Sequence, residues 1–280
     1  ALLEWPQSTR ESFRWSWYFG LGFFVVGLYW IALSLHVNWE KFGWIFPFAL
    51  LGLPSILALF TGVVGLGLYN NKKYIGFNSS VQKVVCAIIF AVFWTLIEIL
   101  RGTILTGFPW QLTSDIWIAY LPMAQPLAYI GSYGYSFITI ILALLPVALG
   151  RKGLFIAIAT LMGIYAFGHQ RLKNPTLYHQ GLQVVLIQPN IAQTDKWNRE
   201  LFRQNLENMV HQSAMAPQLA KGRTIYIWPE ASVPYTIEDK LLQYITSYLG
   251  PQDLLMFGSP FTDRDEQLYN SLFVVDQNGQ

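Results

Sequence analysis

The first 170 residues run as long apolar stretches broken by short polar ones, and the remainder alternates short apolar and polar segments. A helix needs about 20 mostly apolar residues to cross the hydrocarbon core. Trp15–Leu35 and Phe42–Asn71 are uncharged and long enough. Val84–Leu100 is apolar as far as Glu98. Ile116–Gly150 is uncharged, but Pro122 and Pro126 interrupt its start. Gly153–Gln170 is short, and Arg151 and Lys152 can reach the interface with their long stems. The pattern predicts five helices, over 15–35, 45–69, 82–100, 127–149 and 153–170, and a transmembrane helical domain over 1–170.

Past Gln170 the period changes. Leu182–Ile187 is a short β-branched run that predicts a buried strand, ended by Pro189-Asn190. Asn198–Ala216 predicts an amphipathic helix through Leu201, Gln204/Asn205 and Asn208/Met209. Thr224–Trp228 predicts a second strand, ended by Pro229-Glu230. Ile237–Leu249 predicts a second helix with Thr236 as N-cap. Leu254–Phe257 and Ser271–Val275 predict two more strands. Strand and helix in alternation predict an α/β layered fold over 171–280.

Composition sharpens the division. Residues 1–170 hold 9 Lys/Arg and 5 Asp/Glu, whereas the shorter remainder holds 9 and 11. A net charge of +2 with no basic cluster excludes a nucleic-acid partner. Loop charges orient the helices. With the N-terminus in the cytoplasm, that side carries Arg10, Arg14, Lys72, Lys73, Lys83, Arg151 and Lys152, against Lys41 and Arg101 opposite. Five crossings then place everything after Gln170 outside, which in a bacterium is the periplasm. Cys86 is the one cysteine, so no internal disulfide forms, and its apolar surroundings make it a packing residue. Gly62-Val63-Val64-Gly65-Leu66-Gly67 offers small residues for close helix contact. The chain ends on a strand followed by Asn278-Gly279, a hairpin turn signal without a second strand. The expectation is a chain that stops before its domain does.

Three places carry candidate chemistry. Glu98 and Arg101 lie three apart on one helix face, where mutual pairing is the simplest account of two charges at membrane depth. Arg101–Pro126 follows as an aromatic-rich external segment, either an interfacial belt or the floor of a lipid-facing site. Glu230 comes directly after the second strand, and open α/β sheets bind ligands beyond the carboxyl ends of strands. Trp228, Pro229 and Pro234 are expected to shield it partly, as suits a general base; the bland alternative is a capping or salt-bridged glutamate.

These residues also fit a known pattern. Glu98-Ile-Leu-Arg101-Gly-Thr-Ile-Leu-Thr-Gly107-Phe-Pro-Trp110-Gln resembles the membrane motif of bacterial apolipoprotein N-acyltransferases. Leu186-Ile-Gln-Pro-Asn-Ile-Ala-Gln-Thr-Asp-Lys-Trp197 resembles the opening strand and flexible loop of their nitrilase-like domain. Ile227-Trp-Pro-Glu230-Ala-Ser-Val-Pro234 resembles their catalytic glutamate segment, and Tyr269-Asn270-Ser271 the strand before their catalytic lysine. The resemblance implies an incomplete nitrilase-like αββα sandwich after the multi-pass helical domain, at the inner membrane. It implies acyl transfer from a phospholipid, such as phosphatidylethanolamine, to the α-amine of diacylglyceryl-cysteine on an apolipoprotein, the last step of lipoprotein maturation. The acyl group passes through a cysteine thioester, with a glutamate as general base and a lysine stabilising the oxyanion. Glu230 takes the catalytic role. Trp197, Asn270, Phe108, Pro109, Trp110 and Arg101 take substrate-binding roles. No metal or cofactor is called for. The implied lysine and cysteine fall past Gln280, so these 280 residues alone are expected to be inactive.

Two other classes share some of these features. A membrane-tethered carbon–nitrogen hydrolase acting on a small amide would keep Glu230 without a lipid-facing loop. One chain of a split enzyme, or a non-enzymatic scaffold, would leave sheet edges and apolar faces in need of a partner.

Overall fold

The structure, a computed structural model, describes residues 6–71, 79–174, 178–192, 195–217, 222–235 and 237–280. Lys72 and Lys73, counted among the loop charges, and Thr236, expected as an N-cap, lie outside those residues. The chain forms two compact units, Ala1–Pro175 and Thr176–Gln280.

The first unit contains five helices long and apolar enough to cross a membrane among the described residues. Helix α1 (Thr9–Leu33) begins six residues before the predicted start. Ser8 caps it, its hydroxyl accepting the Glu11 N–H at 3.2 Å, which carries helix through the charged first turns. The chain continues through short helical turns to α2 (Leu53–Asn71). Helix α3 (Ser80–Thr103) opens with a capping box between Ser79 and Gln82. Helices α4 (Leu127–Leu149) and α5 (Arg151–Leu172) meet at Gly150, whose φ of 59° allows the abrupt reversal. Outward side chains such as Val26, Ile56, Val81, Val147 and Phe155 are apolar and at least 60% exposed, as lipid-facing surfaces require.

Small residues set the spacing of α1 and α2. A Cβ on Gly65 would lie 2.8 Å from the Ser12 carbonyl oxygen, and one on Gly20 would lie 1.9 Å from Thr61 Oγ1. The backbones therefore approach closely enough for cross-helix hydrogen bonds. Ser12 Oγ donates to the Gly65 carbonyl at 2.9 Å, and Thr61 Oγ1 donates to the Ser16 carbonyl at 3.0 Å. This is the packing mode expected where lipid supplies no hydrophobic drive between helices. Cys86 is buried in α3.

The second unit is a four-stranded mixed sheet with two helices. Strands β1 (Leu182–Leu186), β2 (Arg223–Ile227), β3 (Leu254–Thr262) and β4 (Leu268–Val275) lie in that order. The first two pairings are parallel and the β3–β4 pairing antiparallel. Helix α6 (Arg199–Ala214) follows its N-cap Asn198, whose Oδ1 accepts the Glu200 N–H at 2.9 Å. Helix α7 (Asp239–Thr246) is shorter than predicted at both ends. Both helices pack on one face of the sheet, where Leu206, Met209, Ile245 and Leu249 meet Tyr226, Trp228, Leu255 and Phe257.

The other face is apolar and open. Leu182, Val184 and Leu186 are 40%, 52% and 74% exposed. Leu268, Leu272 and Val274 extend the same face across β4 through the strand register. The predicted buried strand Leu182–Ile187 is thus an edge strand with one uncovered side. Its apolar residues from Val184 to Ile187 suit burial on both faces, which these elements supply on one face only.

Candidate active site and aromatic loop

Glu230 lies just past the carboxyl end of β2, as the strand pattern predicts. The backbone around it is held against β3. Trp228 N–H donates to the Met256 carbonyl at 2.9 Å, and Val233 N–H to the Gly258 carbonyl at 3.2 Å. Ala231 adopts a φ of 49° so that the chain can turn sharply between these anchors. Gly258 makes room for the turn. A Cβ there would lie 2.6 Å from Ala231 N and 2.9 Å from Glu230 Cα. Sequence reading missed Gly258, although a lone glycine inside a strand marks close backbone approach.

The expected shielding does not form. Glu230 is exposed, while Trp228 is 3% exposed and points into the helix-covered core. There its Nε1 donates to Ser213 Oγ at 2.9 Å. Alternation along the strand puts Tyr226 and Trp228 on that face together, away from the carboxylate. What Glu230 does gain is a partner: Asn270 Nδ2 donates to its Oε1 at 2.6 Å. Asn270 lies on β4 opposite Pro260 of β3. The hairpin joining those strands is tied by Asp263, which accepts the Asp265 and Gln267 N–H groups, both at 2.9 Å. These hydrogen bonds hold the Asp263 carboxyl below the usual carboxylate range.

Trp197 is 56% exposed on the turn before α6. Tyr235 ties it to the Glu230 segment. The Tyr235 hydroxyl donates to the Trp197 carbonyl at 3.3 Å, and its ring meets Phe202 edge-on at 4.9 Å. Glu230 and Asn270 thus form one hydrogen-bonded pair, and Trp197 is joined to Tyr235, five residues after Glu230, which no sequence signal marked.

In the first unit, Glu98 and Arg101 do not pair with each other as expected. Among the described residues the single ion pair is Arg203–Glu207. Both groups are buried, 4% and 3% exposed, and both turn to the segment that follows α3. Arg101 donates to the carbonyls of Phe108, Trp110 and Gln111. Glu98 Oε1 accepts from Trp94 Nε1 at 3.1 Å and from both Thr113 N–H and Thr113 Oγ1 at 2.8 Å. The physical reason is supply: a loop folded back over a helix end offers many backbone dipoles, and a buried charge takes them. Arg101, expected to contact substrate, has the loop carbonyls as its hydrogen-bond partners.

That loop presents its aromatics in different ways. Phe108 packs partly buried with Phe24, Leu28 and Leu57. Pro109 is exposed, and Trp110 is 57% exposed with its ring 5.6 Å from that of Trp30. Beneath lies an apolar cavity of about 300 Å³ among α1, α2, α3 and α4, lined by Phe19, Phe23, Phe90, Trp94, Thr113 and Ile140. Trp94 was legible only as i−4 to Glu98, a spacing that puts the two on one helix face.

Membrane-length helices followed by an α/β unit with a carboxylate at a strand's carboxyl end define a multi-pass membrane protein with an appended α/β unit. Residues 1–145 match the family described as Apolipoprotein N-acyltransferase N-terminal domain. The chain is 34% identical over 260 residues to the apolipoprotein N-acyltransferase of Caulobacter vibrioides, covering 89% of this chain and 47% of that protein. It is 31% identical over 296 residues to that of Rickettsia bellii, covering 100% and 56%. With that of Brucella melitensis it shares 30% over 280 residues, covering 94% and 51%. The chain belongs to the apolipoprotein N-acyltransferase family, and it spans about half the length of these relatives.

Proposed function

We propose that the full-length protein moves an acyl chain from a membrane phospholipid, phosphatidylethanolamine being an abundant choice, to the α-amine of an apolipoprotein's diacylglyceryl-cysteine. The observation that carries this reading is Glu230, seated at the carboxyl end of β2 and held by Asn270, in a chain of this family. Its carboxylate is open to a thiol brought to it, and Asn270 holds it in place.

The steps balance as follows. Glu230 accepts the thiol proton while sulfur attacks the ester carbonyl. The carbon–oxygen bond breaks, and the proton leaves with the lysophospholipid alcohol. The lipoprotein amine then attacks the thioester, the carbon–sulfur bond breaks, and the amine proton returns to sulfur through Glu230. A lysine stabilises each oxyanion. Cys86, buried in a membrane helix, does not meet this role. The thiol is therefore assigned to a residue other than these 280, and by the same resemblance so is the lysine.

The α/β unit is proposed to form one layer pair of a nitrilase-like αββα sandwich. The open apolar face of its sheet supports this, since such a face is costly in water and stable when a second sheet packs on it. We place that unit on the periplasmic side of a bacterial inner membrane, with both substrates anchored nearby. Membrane anchoring removes much of the entropic barrier to encounter. Phe108, Pro109 and Trp110 are assigned to lipid contact, and Trp197 separately to substrate binding. The aromatic loop and the apolar cavity favour lipid over a small soluble amide. In reconstituted membranes the full-length protein is expected to N-acylate a diacylglyceryl lipopeptide and release lysophospholipid. Hydrolysis of small amides with no lipopeptide product contradicts this reading.

A further inference from the structure

We infer that Glu98 and Arg101 are positioning residues, a two-point clamp that holds residues 104–113 as a rigid ledge and fixes where Pro109 and Trp110 stand. The inference rests on the proposed reading of Phe108–Trp110 as substrate contacts. An ionisable group at membrane depth calls for a partner or a role. Here are two, three residues apart on α3, without an ion pair between them. Both reach the second half of the same loop. Arg101 gathers the carbonyls of Phe108, Trp110 and Gln111. Glu98, with Trp94, holds Thr113 by its N–H and its hydroxyl.

The loop they hold is strained. Leu105, Thr106 and Gln111 have φ values of 51°, 73° and 58°, a region that non-glycine residues seldom adopt. Such conformations persist where the surroundings over-determine them, and they gather at ligand clamps. The surroundings do so here. Gly107, at φ 83°, lies so close to the Gly102 carbonyl that a Cβ would sit 2.3 Å from its oxygen. Phe108 N–H donates back to the Arg101 carbonyl at 2.8 Å. Gln111 reaches across to α1, its Nε2 donating to the Phe23 carbonyl at 2.9 Å over Gly27, where any Cβ would collide with it. With Phe108 wedged beside Phe24, Pro109 and Trp110 stand exposed past the held backbone, as does Leu105 on the first half of the loop.

The test uses the full-length protein in nanodiscs of phosphatidylethanolamine, as wild type, Arg101→Lys and Glu98→Gln. Arg101→Lys keeps the charge and loses the planar fork; Glu98→Gln keeps an acceptor and loses the charge. Amide hydrogen exchange over 104–113 is expected to rise about tenfold in each variant, with 53–71 and 127–149 unchanged. KM for the phospholipid should rise more than kcat falls. Wild-type exchange over 104–113 in both variants overturns the clamp. Faster exchange with unchanged KM and kcat supports the clamp and overturns the substrate reading of Phe108–Trp110. Should Arg101→Lys fail to insert, Glu98→Gln still decides.

Discussion

At the scale of single residues, the carboxylate of Glu230 owes its orientation to one short hydrogen bond from Asn270. A bond to a charged acceptor is worth about 1.5–3 kcal/mol. Asn270→Ala in the full-length protein is therefore expected to slow acyl-enzyme formation at least about tenfold. Single-turnover kinetics check it, and an unchanged rate would remove Asn270 from this role. Glu230 itself was legible from its place after an apolar strand. Its neighbours were not. The expected shielding by Trp228 failed because strand alternation turns that ring into the helix-covered core. Tyr235 and Gly258 were missed because a loop tyrosine and a lone strand glycine gain meaning only once β3 lies beside the turn. Glu98 and Arg101 were expected to pair, an inference from helical spacing, which is blind to a loop folding back.

At the scale of elements, five apolar helices and the strand–helix alternation were readable from period alone. The ends were less so. Ser8 and Ser79 start helices inside charged or polar stretches that hydropathy excludes. Strands β3 and β4 run on to Thr262 and from Leu268, because antiparallel pairing carries polar residues along with it. That hairpin also makes a pH prediction. Asp263 is held below the usual carboxylate range by backbone N–H donors. Its contribution is complete above the ordinary aspartate value of about 3.9 and is lost as pH falls through the lower folded value. Amide protection of 268–275 should therefore decline in acid below that value and stay level above it. Asp263→Asn should abolish that acid step, and a step of wild-type size in the variant would contradict the assignment.

At the scale of the whole molecule, a membrane half and an α/β half share one chain, and each half leaves something to be met. The helices present lipid-facing apolar surface and an aromatic loop. The sheet presents an uncovered apolar face beside a poised glutamate. The proposed reaction would use both features, the first with lipid and the second with a further layer of the same domain. The most direct measurement is intact-mass detection of the acyl-enzyme in the full-length protein incubated with phospholipid. Wild type should gain one acyl chain as a hydroxylamine-sensitive thioester. Glu230→Gln, inserted normally in the membrane, should form it at least about a hundredfold more slowly. Acyl-enzyme at the wild-type rate in Glu230→Gln would contradict the account.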